Sequence, residues 1–326
     1  MEMASSSEFV YAPRVDPLSS LIDAPRGRGS FLLRVPMARP WCIRIRDEAP
    51  LTVVAVTEGA AYFTRRPDPA LPLTRGDLLL VRGPTPYDVG DAPGREPIAV
   101  IHPGNRSETP DGVPLDLPLS RGLRTWGNDP EGEDALLVGN YASVGEVGAR
   151  MLDALPGSLV IRGDEWDSPL VALLLDQLER EGPGQASLLD RLLDALVVAA
   201  VQHWATTTDD LPPWLRAGDD REVAHALALV HDHPEAPWTL TSLARQVGLS
   251  RAGFSRRFTA VVGESPIAYL SAWRLALAAD LLAGTDDTVA AISRSVGYTS
   301  PFTFSDAFKR SYGVSPVEHR RRGRAG

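Results

Sequence analysis

TLTSLARQVGL (239–249) and TVAAISRSVGY (288–298) are two copies of one pattern, and their repetition decides the fold of the C-terminal part. They agree at Thr239/Thr288, at the apolar pairs Leu240/Val289 and Leu243/Ile292, and at Arg245/Arg294, Val247/Val296 and Gly248/Gly297. The second copy then gains one residue, Thr299, and SRAGFSRRFTAVVGESP (250–266) aligns with SPFTFSDAFKRSYGVSP (300–316). Ser250/Ser300, Phe254/Phe304, Ser255/Ser305, Phe258/Phe308, Gly263/Gly313 and the Ser-Pro pairs at 265–266 and 315–316 coincide. Self-similarity of this kind marks a repeated structural unit.

Each copy has the parts of a helix-turn-helix. A short helix ends at Gly248 or Gly297, where glycine tolerates the left-handed position after a helix. Ser250 or Ser300 then caps the next helix. Phenylalanines four apart bury one face of that helix, and in the first copy the opposite face carries Arg251, Ser255 and Arg256. A DNA major groove admits one helix, and arginine bonds bidentately to guanine there. Between the copies, SPIAYLSAWRLALAADLLAG (265–284) predicts one long helix with a serine cap, proline at its first position and a glycine stop. Leu270, Trp273, Leu277, Leu281 and Leu282 give it an apolar side. We expect it to act as a stiff spacer holding two readers about one helical turn of DNA apart.

Charge is divided along the chain. Residues 1–220 hold 20 basic and 33 acidic side chains, whereas 221–326 hold 13 basic and 9 acidic, so an acidic body of −13 carries a basic end of +4. That asymmetry suits a phosphate-bearing partner, although uneven surface charge alone would give it too. Lys309 is the sole lysine among 33 basic residues, a bias we attribute to coding background.

From about Ser30 to Val100 short strands alternate with Pro and Gly. LTVVAVTEGAAYF (51–63) and GDLLLVRGPTPYDV (76–89) are β-rich, with turns at Glu58-Gly59, Arg75-Gly76 and Gly83-Pro84. Such a run predicts a sandwich or small barrel. Residues 103–134 read as a long irregular excursion, and Ala135–Tyr141 as the closing strand. A helical pair comes next. SPLVALLLDQLERE (168–181) has Ser168 as cap and Pro169 at the first helical position, and QASLLDRLLDALVVAAVQHW (185–204) aligns Leu189, Leu192, Leu193, Leu196, Ala200 and His203. That stripe either packs on the β-domain or joins two chains as a homodimer through 168–204. LPPWLRAGDD (211–220) reads as a linker.

The motif string PWTLTSLARQVGLSRAGFSRRF, GESPIAYLSAWRLALAADLL and VAAISRSVGYTSPFTFSDAFKRSYGVSP resembles the AraC-type DNA-binding domain over about 219–323. The resemblance implies an all-α domain at 221–323, a linker at 206–220, and an N-terminal domain at 1–205, the whole an α+β multidomain chain. Carried over by position, it puts Arg251, Ala252, Ser255 and Arg256 near base edges in the first unit, and Pro301, Phe302, Thr303 and Asp306 in the second. Asp306 departs from the basic or polar residue common there, since an aspartate repels phosphate unless it accepts from cytosine N4. The first unit is therefore expected to carry most readout. Lys309, Arg310 and Arg320-Arg321-Arg322 are phosphate candidates, the last three equally a solvated basic terminus.

The N-terminal part is similar to the cupin-like effector domain, through DPLSSLI (16–22) and the two strand-turn patterns above. Enzymatic cupins hold metal by clustered histidines. Here residues 1–200 contain only His102, and Tyr87 stands where the second cupin motif usually has histidine, so no metal, cofactor or catalysis is expected. His231 and His233 form an H-x-H pair without a visible third ligand, read as capping or surface residues. Cys42, the lone cysteine, is either a redox sensor activated by Arg39 and Arg44 or a buried small hydrophobe. The expected partners are duplex DNA, RNA polymerase, an unidentified small-molecule effector and a second copy. No apolar stretch reads as a membrane span and no secretion signal is seen, so a cytoplasmic location is expected. Three functions remain open from sequence: a ligand-responsive regulator, an enzyme fused to a DNA-binding module, and a constitutive regulator whose β-domain only dimerises.

Overall fold

Runs of β-branched and leucine residues between Gly and Pro turns make strands, and the computed structural model, which describes residues 30–115, 124–208 and 220–323, places eleven of them between Ser30 and Ile161. They are β1 (Ser30–Met37), β2 (Cys42–Ile45), β3 (Leu51–Glu58), β4 (Ala60–Thr64), β5 (Leu71–Thr74), β6 (Leu78–Arg82), β7 (Tyr87–Gly90), β8 (Ala99–His102), β9 (Arg106–Glu108), β10 (Asp134–Tyr141) and β11 (Ser158–Ile161). One sheet runs β1-β10-β3-β6-β11 and the other β5-β4-β7-β2-β8-β9. All neighbours are antiparallel except β2 and β8. The two sheets share one core, in which Leu33, Val35, Val54, Leu79 and Leu136 meet Ile43, Phe63, Leu73, Tyr87 and Val89.

Part of the stretch expected to be an irregular excursion is anchored instead. Arg34 on β1 donates its N–H to the Arg124 carbonyl at 2.9 Å and accepts from the Trp126 N–H at 3.1 Å. Asp134, at the start of β10, is fully buried and accepts from Arg39 Nε and Nη2 at 2.7 Å, Trp41 Nε1 at 2.9 Å and the Ala60 N–H at 3.0 Å. Burial alone would raise its pKa, but these donors outweigh it and hold the carboxyl below its usual range.

β3 is buried along nearly its whole length, because its sheet is covered on both faces. Helices α1 (Glu146–Ala154), α2 (Leu170–Leu178) and α3 (Gln185–Thr207) belong to this unit. α3 buries Leu189, Leu193, Leu196, Val197, Ala200, Val201 and Trp204, so the buried stripe is turned from the expected one, and Leu192 and His203 lie at its edge. A Cβ on Gly139 of β10 would sit 2.8 Å from Leu193 Cδ1, so glycine is what lets α3 settle on the sheet. The stripe thus packs on the β-domain. α3 also runs past the expected linker start at 206. Pro169 occupies the capping position of α2 rather than its first turn, with Ser168 Oγ accepting the Leu170 N–H at 3.4 Å. The DPLSSLI motif and nearly all of the expected linker lie outside the described residues.

The described residues fall into two compact units divided between Leu211 and Pro212. The second is helical: α4 (Arg221–Asp232), α5 (Leu240–Gln246), α6 (Arg251–Val262), α7 (Pro266–Gly284), α8 (Val289–Ser295), α9 (Pro301–Tyr312) and α10 (Pro316–Gly323). Local chemistry starts them. The side chains of Asp220, Thr239, Ser250, Ser265, Thr288 and Ser300 each accept a backbone N–H from the first turn of their helix.

α7 departs from the amphipathic spacer expected. Tyr269, Leu270, Trp273, Leu275, Ala276, Ala278, Ala279 and Leu282 are all buried, on several sides of the helix. Leu275, Ala278 and Leu282 join Phe304 and Phe308 in one core, while Tyr269 packs edge-on against Phe258. By length and apolarity α7 is the one described helix that could cross a membrane, contrary to the expectation of no such stretch. Burial in two cores accounts for that composition.

Candidate nucleic-acid interface

The turn in each reading unit is built identically. After α5, the Gly248 N–H bonds the Arg245 carbonyl at 3.2 Å and the Leu249 N–H bonds Ala244 at 2.9 Å. After α8, Gly297 bonds Arg294 at 3.0 Å and Tyr298 bonds Ser293 at 2.8 Å. Both glycines are left-handed, at φ 72° and 85°. This pairing is the Schellman closure, which satisfies the last carbonyls of a helix.

Ser250 and Ser300 then launch α6 and α9. Phe254 and Phe258 are buried with ring centroids 5.6 Å apart, and Phe304 and Phe308 match them at 5.6 Å. The outward faces hold the residues singled out from sequence. Arg251, Ala252 and Arg256 are exposed and Ser255 half-buried; Pro301, Phe302, Thr303, Asp306 and Lys309 are exposed. Phe302 is 76% exposed, extreme for a phenylalanine.

Ion pairing separates the arginines. Arg257 is bound to Asp220 at 2.7 Å and Glu222 at 2.9 Å, clamping α6 to the start of α4. Arg251 and Arg256 have no ion-pair partner among the described residues, which leaves their guanidinium groups free for an external anion or base. Arg245 and Arg294, in the last turns of α5 and α8, are likewise exposed. Their identity in the two copies was the signal for them, and the sequence reading assigned them no role.

The basic terminus is largely occupied. Arg320 donates to the carbonyls of Leu282, at 3.2 Å, and Asp287, which ties α10 to the end of α7. Arg321 and Arg322 pair with Glu318 at 2.6 and 3.2 Å. These contacts favour a structural role for the tail over phosphate binding. Ser305 also spends its hydroxyl internally, on the Pro301 carbonyl at 2.8 Å.

A cavity of about 350 Å³ opens between the two sheets, lined by apolar side chains and by Asp47, Thr52, Tyr87, Asn105, Ser107, Arg124 and Asn140. Tyr87, at the cupin histidine position, is therefore a wall residue. His102 lies elsewhere, bonded to Glu108 at 2.8 Å. His231 is turned inward, 2.7 Å from the Tyr269 hydroxyl and stacked on Trp273 at 4.1 Å, whereas His233 is exposed near Glu235. The two rings of the H-x-H pair therefore have different surroundings.

Cys42 is 3% exposed, and burial, reinforced by Asp88, pushes its thiol up to about 11. Arg39 and Arg44 are engaged by Asp134 and Asp88. The buried-hydrophobe reading fits, and the activated thiolate does not.

Comparison with known proteins bears on the whole chain. A cupin family profile matches residues 16–206, and a helix-turn-helix domain profile matches 243–322. The HTH-type transcriptional regulator AlkR of Acinetobacter baylyi is 29% identical, over 94% of this chain and 99% of that protein. A putative AraC-like transcription regulator of Streptomyces lividans is 27% identical, over 94% and 98%. The chain belongs to the AraC family of transcription regulators. As an AraC-family protein it binds DNA through the helical unit and carries a cupin-like unit ahead of it.

Proposed function

We propose that this AraC-family regulator reads duplex DNA with the N-terminal turns of α6 and α9, under control of a small molecule held in the cupin-like unit. On this reading residues 1–205 sense, 206–220 link and 221–323 bind DNA. Arg251 and Arg256 read base edges with Ala252 and Ser255 beside them. Pro301, Phe302, Thr303 and Asp306 fit the second groove segment with less hydrogen-bonding capacity, and Lys309, Arg245 and Arg294 meet phosphates. The observation that carries the reading is the pair of identically closed turns, each presenting an exposed helix start with free cations nearby. The sensing role rests on the cavity, which is lined mostly by apolar side chains with a few polar ones and has no histidine among its lining residues.

A homodimer through α2 and α3 is supported by Leu173 and Leu188, which stay 42% and 44% exposed after α3 has covered the sheet. RNA polymerase is the partner a promoter-bound regulator would engage, the site of action is the cytoplasm, and the chain is not an enzyme.

The test is to map the DNA bound in the cell and titrate the full chain against the recovered sites. The three phosphate contacts of Lys309, Arg245 and Arg294 would weaken binding by about fortyfold between 50 and 200 mM salt. A chain with no salt-sensitive duplex binding would refute the proposal.

A further inference from the structure

The cavity between the sheets carries a specific chemical demand. Leu33, Val35, Ile43, Val54, Trp126 and Val138 make most of its wall apolar. The polar groups are placed by strand register. Asn140 on β10 stands opposite Thr52 on β3, and Tyr87 on β7 stands opposite Ile45 on β2.

Asn140 donates from Nδ2 to Asp47 Oδ2 at 3.2 Å and to Asn105 Oδ1 at 2.9 Å. Both acceptors fix which way the amide points. Its Oδ1 is left buried, with no hydrogen-bond partner among the described residues, on a side chain only 8% exposed. The Tyr87 hydroxyl is buried in the same condition on a residue 6% exposed, with the Thr52 side chain beside it but short of hydrogen-bond geometry. Burial pushes the phenol upward, so it stays a neutral O–H that can donate or accept.

A buried polar oxygen without a partner is costly, and two such oxygens on residues lining one cavity, one from each sheet, call for a ligand that satisfies them. Asn140 Oδ1 accepts only, so the ligand must donate to it. The Asp47 carboxylate, bonded to the same amide, opposes an anionic head group. Arg124, the one cation among the lining residues, points Nη1 toward the Leu32 carbonyl at 3.5 Å. We propose that the cavity takes an uncharged, mostly apolar molecule with a single hydroxyl, which donates to Asn140 Oδ1 and accepts from the Tyr87 hydroxyl. This inference rests on the reading of the cupin-like unit as the effector site.

Four probes of matched shape test it on the full chain by calorimetry: 3-phenyl-1-propanol, propylbenzene, 3-phenylpropionate and 3-phenylpropylamine. The alcohol should bind roughly threefold to tenfold more tightly than the hydrocarbon, and more tightly than either ion. Within the Tyr87→Phe variant most of the alcohol's advantage over propylbenzene should be gone. The wild-type series is decisive without any variant. Equal or better binding of the hydrocarbon, preference for the acid or the amine, or no binding by any of the four overturns the hydroxyl assignment. Operator affinity measured with and without a cell metabolite extract addresses the underlying reading separately. A response to extract alongside a failed hydroxyl preference removes only the chemical class, and no response to extract removes ligand control itself.

Discussion

The two helix-turn-helix units agree inside and differ outside. Their buried phenylalanines superimpose in spacing, their glycine closures repeat bond for bond, and each second helix begins at a serine cap. Outside, the first unit offers Arg251 and Arg256, whereas the second offers Pro301, Phe302, Thr303 and Asp306. Duplication has preserved the parts that folding requires and left the reading surface free to diverge. The glycines show the same split at closer range. A Cβ on Gly248 would meet open space, but one on Gly297 would lie 2.7 Å from Arg274 Cζ and 2.7 Å from the Pro234 carbonyl oxygen. Arg274, on α7, donates to the carbonyls of Pro234 at 2.7 Å and Ala236 at 2.6 Å, so the second turn closes over a bolt that also secures the first unit's connecting loop.

The largest contrast should come from those glycines. Gly248→Ala should cost about 1–2 kcal/mol, the strain of a left-handed alanine. Gly297→Ala adds overpacking against Arg274 and Pro234 and should cost about 3 kcal/mol or more. Urea midpoints of the full chain measure both, and equal losses would mean that the crowding around Gly297 relaxes freely.

On DNA the asymmetry should appear as specificity. Arg256→Ala should relax preference at one base pair by about 1–3 kcal/mol, while Asp306→Ala should tighten all sequences slightly by removing a negative charge near phosphate. If Arg256→Ala weakens every sequence alike, the residue belongs to the backbone contacts.

The smallest effect concerns pH. The first unit is tied between elements by an ion pair, Arg257 with Asp220 and Glu222. Burial acts upward on Asp220, but the bonds from Arg257 and the Val223 N–H prevail and depress it. A carboxyl depressed in the folded state stabilises above its unfolded pKa and loses that contribution as pH falls toward the folded value. The stability gap between wild type and Asp220→Asn should therefore be widest near neutrality and close below the ordinary carboxylate range. A gap independent of pH would show that the pair contributes through packing alone.

Much of the helical unit was legible because its signals are local. Caps, glycine closures and paired phenylalanines lie within a few residues of the groups they serve. α7 was misread as one-sided because leucines at helical spacing do not reveal that alanines and aromatics between them are also buried. α1 and β11 escaped notice for a related reason: α1 has Gly145 at its start and no side-chain cap, and β11 is only four residues long. The cavity could not be read at all. Tyr87 and Asn140 are far apart along the chain and are placed by strand register, where a slip of one residue would turn each side chain to the other face. Asp47 and Asn105 lie in the connections after β2 and β8. The arginine tail looked like a free polycation until Glu318 and the end of α7 were seen to occupy it.

The central helix also bears on how such a protein can change over evolutionary time. Because α7 lends side chains to both cores, neither reader is a detachable module. Deleting one would strip its sibling of a wall, so new DNA preferences must arise by retouching exposed residues in place, not by swapping half of the domain for another.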